Sequence, residues 1–272
     1  MKRLGIAFSG GANPAEIVDC VKLAETLGYE SAWVAEGHGG DQFAVLSACA
    51  AQTSKILLGT SITSVFVRTL PTIAMAAATV DAISGGRFIL GIGSSHKVQV
   101  EPEHGVPYGK PLTRVRESVA VIRALLRDGR VSYAGETVRI GGFDLWFTPL
   151  RPAIPIYLSA VFPKMTTLCG EIADGIILTR STIATAAQVR ERLAEGAKRA
   201  GRHPRCRRVA VADRRRRHPQ GGARRAATGA RFLRWLLPSL QSHDGRARLS
   251  RRSGGHCGGL VTRRPASGRA RG

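Results

Sequence analysis

Short apolar runs alternate along this chain with longer stretches whose apolar positions recur every three or four residues. That is the pattern of strands followed by amphipathic helices, and hence of a parallel sheet. A first strand falls over 3–8, and Pro14 to Leu27 forms a helix that Gly28 stops. A second strand over 31–35 leads to an alanine-rich helix over 41–53, and a third over 55–62 to a helix from Pro71 to Ile83. Proline suits the start of a helix, where its missing N–H would have no partner in any case. Gly85-Gly86 turn the chain into a fourth strand, Arg87 to Leu90. An irregular loop follows, then a helix over 113–128 with Val115, Val119, Ile122 and Leu125 on one face.

Residues 129–149 break the rhythm. Val131-Ser132-Tyr133, Thr137-Val138-Arg139-Ile140 and Leu145-Trp146-Phe147 read as an inserted hairpin or extended excursion. A fifth strand, Pro155 to Ser159, then precedes a helix over 163–172, and a sixth, Gly175 to Leu178, precedes a charged helix over 184–200. Six strand-helix units are readable, and two more would complete a (β/α)8 barrel. The fold expected is therefore α/β: a barrel domain over 1–200, incomplete at its C-terminal end, with an insertion between strands four and five.

Charge changes this picture only at one end. Of the net +22, residues 201–272 carry +18, from 20 arginines, no lysine and two acids (Asp213, Asp244). Residues 1–200 carry only +4, an ordinary near-neutral body. The same 72 residues contain no Ile, Glu, Asn, Met or Tyr. Within them, 208–212 resembles a seventh strand and 230–240 a hydrophobic helix. Arginine-rich segments bind nucleic acid through phosphate contacts, but here the arginines form no repeat and Phe232 and Trp235 are the only aromatics. Out-of-frame reading of a GC-rich gene accounts better for a gain of Arg, Ala, Gly, Pro and Ser with loss of Lys, Ile, Asn, Met and Tyr. The expectation is a frame-shifted or disordered tail, with nucleic-acid binding through it kept as the alternative. Inserting or deleting one nucleotide near codons 201–215 should then restore a strand-helix pattern.

Cys20, Cys49, Cys169, Cys206 and Cys257 are odd in number and scattered, which suggests neither a disulfide framework nor a metal site. The basic start meets Gly10-Gly11 after a short apolar run, unlike a secretory signal, and no apolar run is long enough to cross a membrane. A soluble cytoplasmic protein is expected.

In parallel α/β sheets the working residues sit just past the carboxyl ends of strands. After strand two comes Ala35-Glu36-Gly37-His38-Gly39-Gly40-Asp41, a carboxylate and an imidazole two residues apart on a glycine-rich turn. They could handle protons. Glu36 or Asp41 could instead cap the next helix, with His38 simply solvated. After strand four, Gly91-Ile92-Gly93-Ser94-Ser95-His96-Lys97 offers main-chain and side-chain donors to an anion, or is simply a tight turn. After strand five, Lys164 stands beside the positive end of a helix starting near Pro163. In strand three, Gly59-Thr60-Ser61-Ile62 would let a flat ligand lie against backbone, though Gly59 could equally mark a strand irregularity.

Taken in order, these junctions resemble the luciferase-like monooxygenase superfamily, and within it the F420-dependent, methylene-tetrahydromethanopterin reductase-like branch. The resemblance rests on Ala35-Glu36-Gly37-His38, on 81–93 (Asp81-Ala82-Ile83-Ser84-Gly85-Gly86-Arg87 through Gly93), on 149–160, on Phe162-Pro163-Lys164-Met165 and on 170–177. It implies a TIM-like barrel binding coenzyme F420 at the carboxyl end, for hydride transfer at the deazaflavin C5 to or from a small organic substrate, with an FMN-dependent luciferase-like monooxygenase as the alternative; loss of strands seven and eight would leave either inactive. It implies a non-prolyl cis peptide at about Ser61-Ile62, and Glu36 and His38 as proton-handling or ring-positioning residues. Cofactor contacts would come from Thr60, Ser61, Ile62, Gly91, Gly93, Ser94, Ala160, Phe162, Lys164 and Gly175. Relatives are commonly homodimers through barrel helices. They continue into a seventh and an eighth unit, of which this sequence shows no clear counterpart after about residue 203.

Overall fold

A computed structural model describes residues 4–8, 12–179, 183–202 and 209–212, all within the unit Met1–Leu236. The strands β1 (Gly5–Phe8), β2 (Ser31–Val34), β3 (Leu57–Thr60), β5 (Phe88–Gly93), β8 (Ile156–Ser159), β9 (Gly175–Thr179) and β10 (Val209–Ala212) pair in that order, all parallel. A two-residue strand, β4 (Thr63–Ser64), pairs with the end of β5. Helices α1 (Pro14–Thr26), α2 (Gln42–Gln52), α3 (Leu70–Ile83), α5 (Pro111–Asp128), α6 (Pro163–Ile172) and α7 (Ile183–Arg199) connect successive strands, and a short α4 (Lys97–His104) precedes α5. This is the α/β, TIM-like architecture expected. The seventh strand, β10, lies beyond the compositional boundary at residue 200. The rest of the arginine-rich segment, including the frame-shift expectation, falls outside the described residues.

The strands carry apolar residues at nearly every position because both faces are covered. Residues of one parity point outward: Phe88, Leu90 and Ile92 of β5, with Ile156, Leu158 and Ile176, pack beneath Val21, Leu46, Ile73 and Ile122 of the helices. Residues of the other parity point inward, where Trp33, Ile89, Tyr157 and Ile177 form a separate cluster that fills the interior. Glycine makes room for the two aromatics. A Cβ at Gly59 would lie 2.4 Å from the Trp33 ring, and one at Gly175 would lie 2.5 Å from Tyr157.

Local chemistry sets the ends of the elements. Asn13 caps α1 by accepting the Ala15 N–H, and Asp41 caps α2 by accepting those of Phe43 and Ala44. Gly28 and Gly129 leave α1 and α5 in left-handed conformations. Arg87 closes the end of α2, donating to the carbonyls of Ala50, Thr53 and Ile56, while Glu25 accepts the amides of Ser54, Lys55 and Ile56.

The insertion between β5 and β8 has two parts. The hairpin β6 (Arg130–Ala134) and β7 (Arg139–Asp144) is antiparallel, as the broken rhythm predicts, and lies against α5. Its turn is held by buried Glu117, which accepts the N–H groups of Glu136, Thr137 and Val138 and the Thr137 hydroxyl. The other part is 94–110 with α4, read from sequence as irregular. Val100 is the single buried residue of α4.

Candidate active site

The carboxyl ends of the strands form one rim. The peptide bond between Ser61 and Ile62 is cis, at the position the resemblance implies. Ile62 packs on the inner cluster of Trp33, Ile89, Tyr157 and Ile177, so the interior has an apolar floor directly beneath it. Gly93 completes the shelf: a Cβ there would meet Ile62 Cδ1 at 3.2 Å and Ser159 Cβ at 3.3 Å. Ile62, Gly93 and Ser159 thus pack closely into a shelf between β3, β5 and β8. Half-buried Ser61, Ser94 and Ser159 stand at its edge.

Glu36 leaves β2 at this rim and is tied down at both carboxylate oxygens. Oε1 accepts Arg68 Nε and Oε2 accepts the Ser64 N–H at 2.8 Å, with the side chain 17% exposed. Arg68 also binds Asp41 and lies over the Phe43 ring, 5.2 Å from its centroid. Burial opposes charge at Asp41, but Arg68 and the Ala44 N–H outweigh it and hold the carboxyl below its ordinary value. Burial likewise opposes charge at Arg68, and Asp41 and Glu36 raise its pKa above the usual one. Beside this group Gln42, 1% exposed, donates to the Thr63 hydroxyl, and its Oε1 has no partner among the described residues.

His38 sits differently. Its side chain is 80% exposed, and Nε2 lies 3.1 Å from Glu103 of α4, so it spans from the β2 exit to the inserted helix. Ser95 and Lys110, both with positive φ, bracket the segment that carries α4. Tyr108 of that segment stacks on Phe66 at 4.5 Å, and Arg114 covers Phe66 at 4.9 Å.

The structure brings Ser61, Ile62, Gly93, Ser94 and Ala160 to the rim, and it gives other tasks to several residues expected to touch a cofactor. Thr60 is fully buried on the outer face, where its hydroxyl donates to the Gly91 carbonyl at 2.7 Å and accepts the Gly91 N–H at 2.9 Å. Gly91 therefore lies inside β5, not in a turn; a Cβ there would lie 1.9 Å from the Thr60 carbonyl oxygen. Gly175 begins β9 at the opposite end of the barrel, under Tyr157. Lys164 opens onto a cavity of about 530 Å³ between α5, α6 and α7, outside the strand ring. Phe162 is at the rim and exposed. Sequence reasoning missed Arg68 and Gln42. The signal was present: Glu36 and Asp41 crowd one junction and call for a cation, which the exit after strand three supplies.

The luciferase-like monooxygenase family matches residues 3–253. The chain belongs to that family. It is 33% identical over 201 residues to a 5,10-methylenetetrahydromethanopterin reductase of Methanolobus tindarius, covering 74% of this chain and 61% of the relative. It is 36% identical over 184 residues to a putative coenzyme F420-dependent oxidoreductase of Mycobacterium tuberculosis, covering 63% and 53%. The solved coenzyme F420-dependent tetrahydromethanopterin reductase of Methanopyrus kandleri superposes with a TM-score of 0.72 at 32% identity, over 77% of this chain and 65% of that one. The chain thus spans only about half to three-fifths of the curated relatives' length. Among the described residues no helix is long and apolar enough to cross a membrane, and no group of three or more His, Cys, Asp and Glu side chains is placed to hold a metal.

Proposed function

We propose that this chain is an oxidoreductase that seats coenzyme F420 on the shelf between β3, β5 and β8 and transfers hydride between it and a small organic substrate. The observation that carries the reading is the shelf itself, with Ile62 seated on an apolar floor and no side chain at Gly93. A flat aromatic ring fits such a surface. The relatives named for F420 support F420 as that ring. When bound, the deazaflavin would supply a carbon centre that accepts or gives hydride, and the protein supplies binding, orientation and electrostatics.

The residues present would do the following. Ile62 and the main chain of 61–64 support one ring face, and Gly93, closely flanked by Ile62 and Ser159, adds no side chain of its own. The serines at the edge offer hydroxyls to polar ring atoms. The first turn of α6 begins beside the rim, where Phe162 makes no side-chain cap, so its amides can face an anionic end of the cofactor. Glu36, engaged by Arg68 and by Ser64, acts as an anchor of the shelf. His38 spans to α4 and borders the mouth where substrate would enter.

F420 added to the full chain should bind with a quench or shift of its absorbance or fluorescence, and FMN should bind more weakly. Gly93→Val, whose side chain would press on Ile62 and Ser159 and occupy the shelf, should abolish binding by the folded protein and lower the thermal midpoint by several degrees. Tighter binding of FMN than of F420 would assign the chain to a flavin cofactor; binding of neither would remove the reading.

A further inference from the structure

We propose that Arg68 is the positioning residue of the shelf: acting through Glu36, it fixes the main chain of 61–64 on which the cofactor ring would lie. The proposal rests on the reading of the rim as a cofactor seat, but its geometry stands apart from that reading.

Two clamps hold the stretch that follows the cis peptide. Gln42, in the first turn of α2, holds the Thr63 side chain, and Glu36, from the exit of β2, holds the Ser64 N–H. Neither clamp belongs to β3 or β4, so the path of 61–64 is set from neighbouring elements. A carboxylate on a flexible stem makes a firm clamp only when something fixes the carboxylate. Arg68 does this with its Nε on Glu36, while another guanidinium nitrogen is fixed on Asp41. Asp41 is itself immobilised as the cap of α2, and the guanidinium rests on the buried Phe43 ring. The chain of constraint runs from α2 through Asp41, Arg68 and Glu36 to the Ser64 amide.

Two roles follow for these charges. Arg68 is 22% exposed and faces two carboxylates, so it compensates negative charge beside the seat of an anionic ligand. Its planar fork engages two carboxylates at once, which a lysine can do only as a point charge. Both Glu36 oxygens are engaged, so Glu36 works by holding Ser64 in place.

The test uses the full-length protein and the variants Arg68→Gln, Arg68→Lys, Glu36→Gln and the double variant Glu36→Gln/Arg68→Gln. Without any ligand, amide hydrogen exchange over 62–66 should quicken in Arg68→Gln and in Glu36→Gln, while exchange in α5 stays at the parental rate. F420 affinity should fall roughly tenfold or more in Arg68→Gln, the scale of a lost charge-assisted hydrogen bond. The absorption spectrum of saturated F420 should also change, since the seat and not only its population is altered. Arg68→Lys should recover part of the affinity. The double variant should be no worse than either single one, because the two residues act in series. Parental exchange over 62–66 in a folded Arg68→Gln, or additive losses in the double variant, would overturn the proposal. If the parent binds neither F420 nor FMN, the cofactor reading falls, and the exchange measurement alone decides the role of Arg68.

Discussion

Individual carboxylates do much of the positioning in this molecule, and Glu117 shows how. It is buried in α5, and burial alone would raise its pKa. The Thr137 hydroxyl and the amides of Thr137, Glu136 and Val138 outweigh that and leave it lowered from 4.5. A carboxylate with a depressed folded pKa contributes stability above its unfolded value, and that stability is lost as pH falls through the folded value. Glu117→Gln should therefore destabilise by about 2–3 kcal/mol at neutral pH and flatten the decline in stability below about pH 4.5, as read by denaturant midpoints across that range. Such roles are poorly legible in sequence, because a carboxylate amid helical residues looks the same whether it faces water or a hairpin turn. Glu36 could be picked out, since it follows a strand on a glycine-rich turn. Its partners could not be named, because Arg68 and Ser64 come from a different exit.

At the scale of elements, the strand-helix alternation was legible wherever burial imposed a period, from α1 to α7 and in the hairpin. It failed where burial is slight. In α4 the run Lys97-Val98-Gln99-Val100-Glu101-Pro102-Glu103-His104 contains a proline and buries only Val100, so no apolar stripe marks it. The sequence marks β5 too short because Gly91-Ile92-Gly93 resembles a turn, whereas both glycines lie within the strand, Gly91 against the Thr60 main chain and Gly93 against Ile62 and Ser159. Glycine also governs the contact of α6 with α7. A Cβ at Gly170 would lie 2.2 Å from the Leu193 carbonyl oxygen, and one at Gly196 would lie 2.0 Å from that of Thr167. Alanine normally favours a helix over glycine by about 1 kcal/mol. Here Gly196→Ala should have the opposite sign, costing about 1–3 kcal/mol through overpacking, with a lowered thermal midpoint. The attachment of α4 should be far weaker. His38→Asn or Glu103→Gln should change global stability by less than about 1 kcal/mol, as expected for an exposed pair, yet speed hydrogen exchange of the α4 amides. Unchanged exchange there would mean that Tyr108 on Phe66 holds the segment without help.

Across the whole molecule, composition and fold divide the chain at different places. Arginine enrichment starts near residue 201, whereas the parallel sheet gains β10 at Val209–Ala212 and the family match runs to residue 253. The charge count therefore says little about the barrel, whose candidate site lies at one rim. That rim is not symmetric. The helices α1, α2 and α3 begin with side-chain caps from Asn13, Asp41 and Thr69, while α4, α5 and α6 begin at His96, Lys110 and Phe162 with none. Side chains quench the positive helix ends on one side of the mouth and leave them open on the side of β5 and β8. The mouth is therefore a keyed socket. A flat ligand with one anionic end would be drawn with that end toward β5 and β8, so its direction along the rim would be decided by the caps of helices that never touch its ring.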